Sequence, residues 1–270
     1  MKKLIAMMLA LVMALSLVAC GQKSDTNDTA DDTNDTKELT YAVEAGSAGE
    51  EAAAEKGYKT VPVDTQAKAL MEVDAGTADA AVIDLLMAYA MVGEGTSYPT
   101  LKVTDQQQTT EEYGVGCRKG SDLASFINSV LAEAYADGTM TELAKTYGVS
   151  ESAVVEQSAS EFTASESDSD VAYIQDKGKL IVGITEFAPM DYQDANGQWI
   201  GFDADMAKLV AEKLGVEVEF QVINWDTKIE ELNGKTIDCV WNGMTLTDAV
   251  QAAMECSNAY CYNGQVVITK

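Results

Sequence analysis

Apolar residues follow two alternating periods along most of the chain. Short runs rich in β-branched residues, "LTYAVEAG", "KTVPV" and "DAAVID", read as strands. Between them, Ser47 to Lys56 and "DTQAKALMEVDAG" place apolar residues at helical spacing. The second of these opens on an Asp-Thr capping signal and stops at a glycine. "LLMAYAMV" continues as helix, "YGVGCRKGS" as strand and turn, and "DLASFINSVLAEAYADG" and "TMTELAKTYG" as helices ended by glycines. Pattern is then lost over "SESAVVEQSASEFTASESDSD", which predicts a linker with a frayed helix at its start. Beyond it come strand "GKLIVGIT", helix "FDADMAKLVAEKLG", strand "VEVEFQVI", helix "WDTKIEELNGK" and strand "IDCVWNG". "NGQVVITK" reads as a buried strand.

Strands alternating with helices predict βαβ units and a mostly parallel, α/β architecture. The two halves carry analogous pieces. "DAGTADAAVID" (74–84) and "LNGKTIDCVWN" (232–242) both run glycine, two or three residues, aspartate, apolar strand. That repetition implies two related lobes, with a ligand cleft at the carboxyl ends of their strands.

The front of the chain is of another kind. "MKKLIAMMLALVMALSLVAC" has two lysines, a short apolar run and small residues before Cys20, the layout of a secretory signal. The apolar run is shorter than the ~20 residues a membrane span needs. "LVAC" resembles the lipobox of bacterial lipoproteins, which implies lipidation of Cys20 and anchoring to the outer face of the cytoplasmic membrane of a Gram-positive type bacterium. Residues 21–37 are acidic and almost without apolar side chains, so they are expected to form a disordered tether.

A net charge of −26 argues against nucleic acid as a partner. There is no histidine, and Arg118 is the single arginine, so the usual general base and anion clamp are nearly absent. No cysteine pair has CxxC spacing, which argues against zinc, and no metal or other cofactor is implied. A disulfide is open for Cys117, Cys239, Cys256 and Cys261, with "CSNAYC" nearest in sequence. Buried free thiols are the competing reading.

These pieces together resemble the family 3, amino-acid type, extracellular solute-binding proteins of bacterial ABC transporters. "GKLIVGITEFAPMDYQDANGQWIGFDADMAKLVAEKLGVEVEF" and "IDCVWNGMTLT" look like that family's lobe 1. "AGSAGEEAA", "GTADAAVID" and "YGVGCRKGSDLASFINSVLAE" look like its lobe 2 and the return from it. The resemblance implies a two-lobed, periplasmic-binding-protein type II fold with circularly permuted lobe order. It divides the chain into a signal (1–20), a tether (21–37), lobe 2 (38–112), a return segment (113–149), a linker joining the usual termini (150–171) and lobe 1 (172–270). "NGQVVITK" is then a hinge strand paired within lobe 1, leaving Lys270 near Leu39–Tyr41 at a hinge with one crossing fewer. A fragment of a longer protein is the rival explanation.

The resemblance also implies a site for a small amino-acid-like solute. Ser47, Ala48 and Gly49 match the strand-to-helix turn that takes the ligand carboxylate; read alone, this turn is plain helix capping. Asp84 matches the ammonium-binding carboxylate; read alone, it is equally an N-cap. Phe187 and Trp225 match aromatic rings that enclose the ligand side chain, and Trp241 is expected to lean into the cleft. Trp199 and Phe202 are expected in the core. Asn242, Gly243 and Thr245 match the segment that bonds the ligand through main chain and hydroxyls. The family often carries an arginine where this chain has Val250, while Arg118 matches a position near the hinge. Asp64, Thr65, Gln66, Thr185, Glu186 and Asp191 are further candidates for specificity. The implied protein is not an enzyme: it is a monomer that delivers its ligand to an ABC permease. A sensory domain, a degenerate lobe pair that binds nothing, and an enzyme of related fold are the alternatives.

Overall fold

Extended backbone at Ser47 and Thr65 lets each side chain accept a helical N–H, from Glu50 and Lys68, both at 3.1 Å. Caps of this kind contribute about 1 kcal/mol each, and here they set where two helices begin. The computed structural model describes residues 38–270, so the signal, the tether and Cys20 lie outside the described residues. In chain order the first elements are β1 (Thr40–Glu44), α1 (Ala48–Glu55), β2 (Lys59–Val63), α2 (Gln66–Ala75), β3 (Ala80–Asp84), α3 (Leu85–Met91) and β4 (Lys102–Gln107). Then come β5 (Glu111–Cys117), α4 (Leu123–Ala136), α5 (Thr139–Tyr147), α6 (Asp170–Lys177), β6 (Lys179–Ile184) and the small hairpin β7 (Tyr192–Gln193) and β8 (Trp199–Ile200). The rest is α7 (Phe202–Leu214), β9 (Glu217–Val222), α8 (Lys228–Asn233), β10 (Cys239–Thr245), α9 (Asp248–Ala253), β11 (Glu255–Cys256), β12 (Cys261–Asn263) and β13 (Gln265–Thr269).

These strands build two main sheets. In lobe 2 the order is β2-β1-β3-β13-β4; in lobe 1 it is β11-β5-β10-β6-β9, with β12 also on β5. The β1–β2 and β1–β3 pairs are parallel, as are β6–β9 and β6–β10, which fits the βαβ expectation. Lobe 1 packs around Trp241, Tyr113, Tyr260 and Phe202, all fully buried.

One strand differs from expectation. β13 lies antiparallel between β3 and β4, in lobe 2 rather than lobe 1. Thr269 and Tyr41 both pair with Ala80, so β1 and β13 flank β3, about 10 Å apart. Lys270 therefore follows the end of the sheet at which β3 begins, with its ammonium on the Asp74 carbonyl at 2.6 Å. That is opposite the Asp84 end and away from the hinge. The chain passes between lobes twice, from β4 to β5 and from β12 to β13. The two crossings run side by side, with Asn263 opposite Glu111 and Val266 opposite Gln107. Both hinge strands are thus continuous. The local pattern of "QVVIT" identifies a strand but carries no record of its sheet.

The patternless segment is more ordered than a linker needs to be. After a single turn at Glu151–Ala153, Val154 bridges to Cys261 and Val155 donates its N–H to the Tyr260 carbonyl at 3.0 Å. Phe162 meets Phe126 edge-on, with ring centres 5.1 Å apart. Asp122 accepts from Ser165 N and Ser169 Oγ, at 3.1 and 2.5 Å. A few side chains suffice to lay a polar strip along lobe 1.

All four described cysteines are free thiols. Cys117 and Cys239 face each other as register partners on β5 and β10, a relation that sequence spacing does not reveal. Arg118 is nowhere near the crossings. Its guanidinium bonds Asp170 at 2.9 Å and the Ile237 carbonyl at 2.9 Å, with Asp238 at 3.5 Å, so it locks the start of α6 to lobe 1. Among the described residues no helix is long and apolar enough to cross a membrane, and no cluster of metal-ligating side chains occurs.

Candidate functional site

A cavity of about 140 Å³ lies between the lobes. Lobe 2 contributes Glu44, Gly46, Ser47, Ala48, Gln66 and Asp84. Lobe 1 contributes Phe187, Trp225, Lys228, Asn242, Gly243 and Thr245, with Val250 closing one side. Its volume is close to the ~150 Å³ of an engineered cavity that takes benzene, which suits a ligand of few heavy atoms.

Glu44 and Asp84 terminate adjacent strands, which brings two carboxyls to one rim. Asp84 does not cap α3. It accepts from the side-chain amides of Gln66, Asn263 and Gln265, the last at 2.8 Å. Burial, with Glu111 nearby, pushes its pKa up to about 7. Glu44 is 3% exposed, and its Oε1 has no hydrogen-bond partner. Burial and then the Asp84 charge push it up to about 8, while Lys228, Gln66 and Thr185 offset that only in part.

The opposite wall is aromatic and backbone. Phe187 and Trp225 are buried at the cavity, as the resemblance implies. The Lys228 ammonium sits 4.9 Å from the centre of the Trp225 ring and donates to two carbonyls, Gly46 at 2.8 Å and Trp225 at 3.1 Å. The β10–β5 register breaks between Val240 and Met244, which takes Trp241–Gly243 out of the ladder. Gly243 sits there at φ 54°, and a Cβ would fall 2.3 Å from Phe187 Cε1. Only glycine lets the ring lie against the strand.

Several expected roles shift. Gly49 does not line the cavity; a Cβ on it would lie 2.8 Å from Gln265 Oε1, so it serves close packing of α1 on the sheet. The side chain of Asn242 is saturated, accepting from Thr185 N and Oγ1 and donating to Thr185 O and Asp191 Oδ2. The Gly243 N–H donates to Asp203 Oδ2 at 2.7 Å, and the Thr245 hydroxyl to Glu111 Oε2 at 3.0 Å. Trp241 is fully buried against Tyr260 and faces the core, not the cleft. Phe202 is core and Trp199 half-buried against Phe220. Of the specificity candidates Gln66 reaches the cavity, while Thr185 and Asp191 stand behind its wall. Asp64 pairs with Lys68 at the surface, Thr65 caps α2, and Glu186 is exposed.

Sequence reasoning missed Glu44 and Lys228. Glu44 carried the same signal as Asp84, an acid at the carboxyl end of an apolar strand. Lys228 carried none, because a lysine at the start of a short helix usually faces solvent.

Two α/β lobes with a cleft between them, joined by paired crossings, define a two-lobed α/β cleft fold. The resemblance to family 3 is borne out over residues 180–270, which match the family model described as bacterial extracellular solute-binding proteins, family 3. A Haemophilus influenzae protein named "Probable amino-acid ABC transporter-binding protein" is 33% identical over 103 residues, 37% of this chain and 40% of the relative. The Bacillus subtilis arginine-binding extracellular protein ArtP is 32% identical over 95 residues, 35% and 37% of the two chains. A solved Streptococcus pneumoniae ABC uptake transporter substrate-binding protein with bound histidine is 36% identical over 34% of this chain and 38% of its own, at a TM-score of 0.33. The chain thus spans about two fifths of the length of the curated relatives it matches.

Proposed function

We propose that this chain is the extracytoplasmic solute-binding component of an ABC transporter, with its two lobes in circularly permuted order. It captures an amino acid or similar small polar solute in the interlobe cleft and delivers it to a membrane permease. It works as a monomer held to the membrane by lipid on Cys20, with no catalytic step. One observation carries the reading: Ser47, Ala48 and Asp84 of lobe 2 meet Phe187, Trp225, Asn242, Gly243 and Thr245 of lobe 1 around one cavity. Further support comes from the family match over residues 180–270 and from relatives named for amino-acid transport. A ligand that touches both lobes stabilises the closed arrangement to the extent that those contacts differ between open and closed states.

Titration calorimetry against the amino acids and small amines tests this. Saturable heat from at least one compound, with a smaller radius of gyration in solution scattering when it is bound, is the expected result. Silence across the panel from cooperatively folding protein would sink the reading.

A further inference from the structure

We propose that the cleft is built for a small organic cation that carries no carboxylate, an amine rather than an amino acid. This rests on the solute-binding reading above and concerns which chemical class the same site takes.

A carboxylate would need free donors, and most of those near the cavity are already engaged. At the turn into α1, the Gly46 N–H donates to Glu50 Oε2 at 2.8 Å and the Ser47 N–H to the Glu44 carbonyl at 3.2 Å. The Glu50 N–H is taken by Ser47 Oγ at 3.1 Å, which leaves the Ala48 N–H as the backbone donor this turn still offers the cavity. Glu50 and Glu51 also occupy the first turn of α1, where the helix dipole would otherwise favour an incoming anion. Across the cleft, the Gly243 N–H and the Thr245 hydroxyl are engaged by Asp203 and Glu111. Thr247 caps α9 by accepting from Val250 N at 3.2 Å. Arg118 is committed to Asp170 and does not line the cavity. Lys228 is the basic side chain on the lining, and two carbonyls already hold its ammonium.

The acceptors tell the opposite story. Glu44, Glu51 and Asp84 all line the cavity, so its carboxylates outnumber its single lysine. Glu44 is more than nine-tenths buried and its Oε1 is without a partner. A buried acceptor left open beside a second acid is destabilising until a donor with positive charge reaches it. Facing the acids, Phe187 and Trp225 offer ring surfaces that suit methylenes and an ammonium. A zwitterion would bring its anionic end into this acidic cavity, where few donors remain. An amine brings only the end the walls accept.

The test is calorimetry on the native protein with matched pairs: ornithine and putrescine, lysine and cadaverine, arginine and agmatine, phenylalanine and phenethylamine. In at least one pair the amine is expected to bind ten times more tightly than its parent amino acid. Glu44→Gln, verified as folded by its thermal melt, is expected to weaken that amine at least tenfold. Tighter binding of the amino acid in every responding pair would overturn this inference and leave the solute-binding reading standing. Unchanged amine affinity in Glu44→Gln would overturn it too. Heat from no member of any pair, or from the wider panel, would overturn both.

Discussion

The Lys228 ammonium of lobe 1 donates to the Gly46 carbonyl of lobe 2 at 2.8 Å, a direct tie across the cleft. Gly46 itself lies at φ 70°, so close to Asp226 that a Cβ would fall 2.7 Å from its Cα. The lobes therefore touch where the strand-to-helix turn of one meets the loop ahead of α8 in the other. Lys228→Met keeps the apolar stem and removes the tie. We expect a larger radius of gyration in solution scattering without ligand, and roughly tenfold weaker binding, about 1.4 kcal/mol. An unchanged scattering curve and affinity would show that Lys228 does not hold the lobes together.

Asp84 lines the cavity and also carries stability. Three side-chain amides donate to it, so Asp84→Ala orphans buried donors at about 1–3 kcal/mol apiece. Read alone the position is equally an N-cap; the amide cage gives it a larger structural duty. Asp84→Ala is expected to lower Tm by at least about 4 °C, given 2–4 °C per kcal/mol in a domain of this size. Equal melts for Asp84→Ala and wild type would contradict the cage.

Acid stability follows from the buried carboxyls. Burial holds Glu44 up to about 8 and Asp84 and Asp203 to about 7, and burial with Asp203 raises Asp191 well above the ordinary range. Below about pH 4 these groups are protonated in both folded and unfolded chains, and their contribution is fully present. As pH rises toward 8 the unfolded chain releases these protons first, so the folded state binds more of them and stability falls. Asp137, held low by Thr139, works the other way, losing its contribution only as pH drops through its depressed value. Calorimetric Tm is expected to be highest near pH 4 and to decline toward pH 8; a rising profile would contradict this.

Binding of a cation should show the converse pH dependence. It draws Glu44 and Asp84 toward their ionised forms, so affinity for a fully protonated amine is expected to rise between pH 6 and 8. Protons are released on binding, which titrations in buffers of different ionisation enthalpy would detect. Proton uptake in place of release would contradict it.

Gly243→Ala drives a methyl group into Phe187 and forces a non-glycine residue to φ 54°. Strain of that kind is about 1–3 kcal/mol, before any displacement of the ring. We expect a lower Tm together with weakened binding, read by melting and calorimetry. An affinity loss without a Tm change would place Gly243 at the ligand rather than under the ring.

Strand and helix periods were legible because each depends on neighbours a few residues away. Capping by Ser47 and Thr65 was legible for the same reason. The partner sheet of β13 was not, since the same apolar run fits either lobe until its neighbours are known. In the site, motif positions such as Phe187, Trp225 and Asp84 reach the cavity together. The saturation of Asn242, the packing duty of Gly49 and the arrival of Lys228 depend on contacts that spacing does not encode. β4, α9 and the hairpin β7–β8 were also unread, being weakly patterned.

The placement of β13 has a kinetic consequence. It joins β3 to β4, and Gln265 meets an Asp84 that is 181 residues earlier in sequence. Lobe 2 cannot complete its sheet by local contacts, because its third and fourth strands touch only through a partner supplied across the whole of lobe 1. Ordering such distant pairs is slow. Closing the lobe 2 sheet is therefore expected to be a slow step of refolding.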